Sequence, residues 1–122
     1  MEKKTILVIE DNELNMKLVK SLLKMGNYET VEAPDAETGM KLLHEKKPDL
    51  ILMDIQLPGM DGLTATRIIK NDPDMKDIPV VAFTSFAMEG DEKTAFNAGC
   101  VGYITKPLDT QKFLETVEEF LK

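Results

Sequence analysis

Three short apolar segments, each ending in polar side chains, constrain the fold of this 122-residue chain more than any other feature. The segments and the residues that follow them are Ile6–Ile9 with Glu10 and Asp11, Leu50–Met53 with Asp54, and Val80–Phe83 with Thr84. A run of four apolar residues bounded by polar or turn residues is typical of a strand covered on both faces, as in the middle of a parallel sheet. The sequence therefore predicts three central strands whose functional groups lie at their carboxyl ends.

Helical segments separate these strands and complete five strand–helix units. Two further strands, Tyr28–Ala33 and Val101–Ile104, are more polar or shorter and are expected at the sheet edges. With right-handed crossovers, this pattern predicts an α/β fold: a five-stranded parallel sheet in the order 2-1-3-4-5, with helices on both faces. The order reverses between strands one and three, so Glu10, Asp11 and Asp54 should face one another across the crevice at that point.

Capping residues and apolar spacing indicate where the helices lie. Asp11 or Asn12 is a suitable N-cap for a first helix, and Asp35 for a second. A weaker helix is expected over Ala87–Ala98, and a fifth begins near Thr110. The first helix is predicted to be amphipathic, with one apolar face formed by Leu14, Leu18, Leu22 and Met25.

Composition limits the partners and the location. A net charge of −7 and a pI near 4.7 argue against nucleic-acid binding, which requires basic surface. The single cysteine, Cys100, has apolar neighbours, which predicts a buried thiol and fits a reducing cytoplasm. No apolar stretch approaches the roughly 20 residues that span a bilayer. We expect a cytoplasmic protein of one domain, residues 1–122, that binds neither nucleic acid nor membrane.

Three carboxylates in one crevice require a compensating charge. At about 4 Å and an effective dielectric constant of about 20, each ionised pair repels by roughly 4 kcal/mol. A proton can offset this repulsion, but a divalent cation does so more fully. Because the expected ligands are all oxygen atoms, Mg²⁺ or Mn²⁺ is favoured over zinc. Mg²⁺ also keeps several waters, which leaves positions for phosphate oxygens.

Dinucleotide and flavin binding are disfavoured, because the turn after the first strand, Glu10–Leu14, lacks the glycines that cradle phosphates and is negatively charged. What remains is phosphoryl chemistry with one carboxylate as nucleophile, and with Lys106 contacting the phosphoryl oxygens as a point charge. Two alternatives stay open at this point: Lys106 is an ordinary surface lysine, and the Thr84 hydroxyl is satisfied locally at its strand end.

Five motifs, taken together and in this order, resemble the receiver domain of two-component response regulators. They are the pair Glu10-Asp11, Asp54 followed by Pro58 and Gly62, Thr84, Tyr103, and Lys106-Pro107. Each is weak alone, but they occur at the ends of four predicted strands and span the whole chain. The resemblance implies a flavodoxin-like fold of the receiver type and a role in phosphorelay signal transduction.

The resemblance also implies roles for individual residues. Asp54 would accept a phosphoryl group from a phosphohistidine on a sensor histidine kinase or a histidine phosphotransfer protein. Asp11, Asp54 and the backbone carbonyl of Gln56 would bind Mg²⁺, with Glu10 acting through water. Lys106 would pair with the phosphoryl group. The chain would then be no enzyme in the usual sense, because it catalyses only its own phosphorylation and dephosphorylation.

Thr84 and Tyr103 would form a switch pair that changes a docking surface made by helix 4, strand 5 and helix 5. No output domain is expected after the fifth helix, so the signal would leave through a downstream protein that docks there. Two alternatives stay open. One is a metal-dependent phosphatase with an aspartyl-phosphate intermediate, although Gln56 occupies the position where such enzymes carry a second acid. The other is a receiver-like interaction module that is never phosphorylated.

Overall fold

The structure is a computed structural model that describes residues 3–55, 57, 59–84, 91–105 and 110–121, with the side chains of Asp91 and Thr110 outside the description. Strands and helices alternate along the chain. The elements in order are β1 (Thr5–Ile9), α1 (Glu13–Met25), β2 (Glu29–Ala33), α2 (Ala36–Glu45), β3 (Leu50–Asp54), α3 (Gly62–Asn71), β4 (Val80–Thr84), α4 (Asp91–Ala98), β5 (Gly102–Thr105) and α5 (Thr110–Leu121). The first four residues of the predicted fourth helix, 87–90, lie outside the described residues.

The five strands form one parallel sheet in the order β2-β1-β3-β4-β5, which confirms the predicted topology. The register aligns the carboxyl ends of the strands. Ile9 pairs with Met53 across β1 and β3, and Asp54 pairs with Phe83 across β3 and β4. As a result, the residues that leave β1, β3 and β4 emerge side by side at one edge of the sheet.

Helices cover both faces of the sheet. The three central strands are therefore buried along their whole length. Alternate residues of a strand point to opposite faces. Ile51 and Met53 join a core cluster with residues of α2, α3 and α4, whereas Leu52 and Phe83 join a second cluster with residues of α1 and α5. This two-sided burial is what the continuous apolar runs predicted.

Side-chain caps fix the start of three helices. The Oδ1 atoms of Asn12, Asp35 and Asp61 accept hydrogen bonds from the backbone N–H three residues later, at 3.0, 2.7 and 2.8 Å respectively. The bond from the Thr64 N–H holds the pKa of Asp61 below its usual range, since it favours the charged carboxylate. Asp35 was predicted as a cap, and of the two candidates for the first helix, Asp11 and Asn12, it is Asn12 that caps α1. Asp61 caps α3.

The buried face of α1 differs from the predicted one. Its buried residues are Met16, Val19, Leu22 and Leu23. Of the four residues predicted as the apolar face, Leu22 is buried, but Leu14, Leu18 and Met25 are 76%, 46% and 70% exposed. The prediction was wrong for these three because α1 carries two apolar faces, and only one can lie on the sheet. The other face, Leu14, Leu18 and Met25, remains on the surface.

β2 is an outermost strand of the sheet, and it carries two exposed glutamates. Glu29 forms an ion pair with Lys46, which follows α2, at 2.9 Å, and Glu32 pairs with Lys20 of α1 at 3.0 Å. These pairs connect the strand to helices on both faces of the sheet. In the part of the chain that the structure describes, every helix is too short or too polar to cross a bilayer.

Candidate functional site

Glu10, Asp11 and Asp54 converge at the carboxyl edge of the sheet. One carboxylate oxygen from each residue lies within 4.8 Å of the other two. Glu10 and Asp54 are only 2% and 5% exposed, whereas Asp11 is exposed. The structure therefore brings together the three acids that the sequence placed in one crevice, and it makes the cluster accessible from the side of Asp11.

The strand register explains this convergence. Glu10 follows Ile9, which pairs with Met53, so Glu10 lies beside the position of Asp54 on the neighbouring strand. The Glu10 N–H donates to the Ala33 carbonyl at 3.0 Å, which extends the pairing with β2 by one residue. The Asn12 N–H donates to Glu10 Oε2 at 3.4 Å. The backbone of Ala33 thus fixes the main chain of Glu10, and the backbone of Asn12 contacts its carboxylate.

Two buried carboxylates beside an exposed one are suited to hold a hard cation. Oxygen ligands are those that Mg²⁺ and Mn²⁺ prefer, and no sulfur or imidazole ligand belongs to this cluster as described. An open groove of about 370 Å³ adjoins the acids and is lined by Glu10, Asp11, Glu13, Met16, Lys17, Glu32 and Pro34. The donor set fits a divalent ion that keeps some of its waters.

The structure places the predicted switch residues on β4, which adjoins β3, and on β5, one strand further out. Thr84 is fully buried at the end of β4, one residue after the partner of Asp54. Tyr103 lies in β5, pairs with Ala82 and packs, partly buried, against the core on the α3 and α4 side. Gln56 and Lys106 lie outside the described residues. Lys106 follows Thr105, whose partner in the sheet is Thr84.

Gly62, which the sequence placed in the motif that follows Asp54, has a packing role in the structure. A Cβ atom on Gly62 would overlap the carbonyl oxygen of Asp54 and lie 2.8 Å from the Cα atom of Ile55. Only a glycine lets the start of α3 approach the end of β3 this closely. The contact joins positions eight residues apart, and no local sequence pattern indicates which atoms meet there.

Cys100 is buried between α4 and β5, as predicted, and belongs to the core. Burial raises the pKa of its thiol, partly offset by the Thr66 hydroxyl near its Sγ atom. A thiol with a raised pKa is a poor nucleophile at neutral pH. Cys100 is therefore a core residue rather than a candidate nucleophile.

The response regulator receiver domain family model matches residues 6–118, which include all of these acids. The chain belongs to this family. The receiver is also 45% identical, over 118 residues, to the polar-differentiation response regulator DivK of Brucella anthropi, and the match covers 97% of this chain and 96% of that protein. This chain is a DivK-like receiver domain of two-component signalling. Members of this family of signalling proteins relay phosphate from histidine kinases.

Solved receiver structures share the fold. The receiver domain of a sensor histidine kinase from Pseudomonas aeruginosa is 28% identical, with a TM-score of 0.90 and 98% of each chain covered, and its crystal structure has a magnesium ion coordinated in the active site cleft. The Mn²⁺-bound form of response regulator Rcp1 is 30% identical, with a TM-score of 0.81, and the match covers 95% of this chain and 90% of that one. The flavodoxin-like receiver fold is thus confirmed.

Proposed function

We propose that this receiver accepts a phosphoryl group on Asp54 in a Mg²⁺-dependent reaction and passes the signal on through a protein-docking surface. The convergence of Asp54 with Glu10 and Asp11 within 4.8 Å is the observation that carries the proposal. Asp54 is at the end of the central strand β3, where its backbone is fixed by pairing with β4. A rigid, buried carboxylate beside two further acids suits a nucleophile that works next to a cation.

In the proposed reaction, a carboxylate oxygen of Asp54 attacks the phosphorus of a phosphohistidine on a sensor histidine kinase or a histidine phosphotransfer protein. The bond from phosphorus to the imidazole nitrogen breaks, its electron pair leaves with the imidazole, and an acyl phosphate forms on Asp54. Lys106 would contact the transferred oxygens as a point charge, since it follows the strand that pairs with Thr84. The chain would catalyse only this transfer and the later hydrolysis.

Asp11, Asp54 and the Gln56 carbonyl would hold Mg²⁺, and Glu10 would act through a bound water. The ion, when bound, neutralises negative charge on the incoming phosphoryl oxygens. The oxygen-only cluster and the magnesium-bound and manganese-bound relatives support this assignment. A cytoplasmic location is consistent with the buried, unpaired thiol of Cys100.

Acetyl phosphate tests this proposal because it needs no partner protein. In the presence of Mg²⁺, we expect the chain to accumulate one phosphoryl group, observed as an intact-mass shift, and we expect a chelator such as EDTA to prevent it. A metal-dependent phosphatase would instead turn over a phosphomonoester without accumulating label. An interaction module that is never phosphorylated would remain unlabelled. Either of the last two results would overturn the proposal.

The proposed output depends on Thr84 and Tyr103. A phosphoryl group on Asp54 adds charge and acceptor oxygens, which the Thr84 hydroxyl can reach by an inward movement of the end of β4. Tyr103 on the adjacent strand would fill the vacated space, and α4, β5 and α5 would present a changed surface to a downstream protein. The packing of Tyr103 against the core on the α3 and α4 side supports this, since α4 is one of the elements whose surface would change.

Thr84→Ala is expected to separate phosphorylation from switching. The variant should accept phosphate from acetyl phosphate, because the nucleophile is intact, but should lose most of the phosphorylation-dependent change in amide hydrogen exchange across α4, β5 and α5. Thr84→Ser keeps the hydroxyl and should retain that change. If phosphorylated Thr84→Ala changes its exchange as the parent does, Thr84 does not carry the signal.

A further inference from the structure

The loop between β3 and α3 leaves the candidate site directly after Asp54. Its described residues are Ile55, Leu57 and Gly59–Asp61. Leu57 is buried in the core on the α2 and α3 side, and Asp61 caps α3. The described residues of the loop are therefore fixed at both ends and at Leu57, and Gly62, which follows them, packs against the backbone carbonyl of Asp54.

A glutamate from another helix contacts this loop. Glu37 lies in the first turn of α2, and its Oε1 atom accepts a hydrogen bond from the Met60 N–H at 3.0 Å. Its carboxylate also lies against Gly59, where a Cβ atom would be 3.4 Å from Oε1 and 3.6 Å from Oε2. Gly59 has a φ of +72°, a conformation that favours glycine and turns the Met60 N–H toward α2.

This contact differs from an ordinary solvated glutamate on a helix surface. It links residues 23 positions apart, and it joins two elements that otherwise meet through apolar packing. A carboxylate that accepts from a backbone N–H makes a charge-assisted hydrogen bond, which is stronger than a neutral one. Met60 itself packs against the core between these elements. The hydrogen bond and the packing together hold Gly59 and Met60 in one conformation.

We propose that Glu37 is a positioning residue for the phosphorylation reaction. It holds the β3–α3 loop in the conformation that presents the metal site, and it thereby sets the Mg²⁺ affinity of the receiver. This inference rests on the proposed function, because it assumes that the acid cluster binds Mg²⁺. Glu37 touches neither the metal nor the phosphoryl group; it acts through the backbone of Gly59 and Met60.

Two substitutions at Glu37 separate the hydrogen bond from the charge. Glu37→Ala and Glu37→Gln both remove one negative charge, but only the glutamine keeps an oxygen that can accept from Met60. Loss of the bond is expected to weaken Mg²⁺ binding about fivefold in Glu37→Ala. Glu37→Gln should stay within about twofold of the parent. Both affinities are measured by isothermal titration with MgCl₂.

Glu45→Ala provides a matched control, because Glu45 is an exposed glutamate at the other end of the same helix. It should bind Mg²⁺ as the parent does. The urea midpoint of Glu37→Ala should fall slightly, because the lost bond also stabilises the folded protein, whereas that of Glu45→Ala should not. A lower midpoint of Glu37→Ala with unchanged Mg²⁺ affinity would show that Glu37 has only a structural role. Equal Mg²⁺ affinities for Glu37→Ala and Glu37→Gln would overturn the inference and leave the proposed function intact. A parent protein that binds no Mg²⁺ would overturn both.

Discussion

Asp54→Asn should take up no phosphoryl group from acetyl phosphate under conditions in which the parent is fully labelled. The side-chain amide has the shape of the carboxylate but lacks its nucleophilic oxygen, so the acyl phosphate cannot form. The fold should be retained, because the substitution removes one of three mutually repelling charges. Intact mass spectrometry with Mg²⁺ present measures the occupancy directly.

Asp61→Asn is the control for this experiment. Asp61 is an exposed carboxylate close to the site in sequence, and asparagine replaces aspartate well as an N-cap. The control should be labelled as fully as the parent. Labelling of Asp54→Asn to the level of the control would show that another residue accepts the phosphoryl group.

Gly62→Ala should lower the free energy of unfolding by about 2 to 3 kcal/mol. The added methyl group would overlap the carbonyl oxygen of Asp54 and press on the Cα atom of Ile55, and both are backbone atoms that cannot rotate away. The higher helix propensity of alanine offsets only about 1 kcal/mol of this loss. Because the strain falls on the backbone of Asp54, phosphorylation by acetyl phosphate should also slow.

Gly39→Ala tests whether the loss of stability depends on which atoms the added methyl group overlaps, backbone atoms or side-chain atoms. A Cβ atom on Gly39 would meet the Cδ1 and Cγ1 atoms of Ile9 at 2.5 and 2.9 Å, and both are side-chain atoms rather than backbone atoms. Its loss of stability should be smaller, and its phosphorylation rate should be that of the parent. Urea unfolding curves measure the first quantity and the time course of the mass shift the second. Equal effects of the two substitutions would contradict the packing argument.

Much of the fold follows from burial patterns in the sequence. Strands β1, β3 and β4 were recognisable because they are covered on both faces, and each carries a run of four consecutive apolar residues. Their central placement, together with right-handed crossovers, favoured the observed strand order and with it the convergence of Glu10 with Asp54. These are properties of single segments, which a sequence displays directly.

The buried face of α1 could not be predicted in the same way. Leu14 and Leu18 recur at helical spacing, and so do Met16, Val19 and Leu23. Helical periodicity assigns residues to faces but does not say which face meets the sheet, and that depends on the angle at which the chain leaves β1. The contacts of Gly62 with Asp54 and of Glu37 with Met60 could not be predicted from the sequence for a related reason. They join segments that come together only after folding.

The two ion pairs of β2 affect how the protein behaves at high concentration. An outermost strand offers backbone groups to strands of other molecules, which is how sheets grow into fibrils. Glu29 and Glu32 place charge on this strand, and their partners Lys46 and Lys20 hold side chains over both of its faces. Charged side chains on an outermost strand disfavour such pairing, because the second strand would approach them closely. The same residues that attach β2 to its helices therefore protect this side of the protein against aggregation.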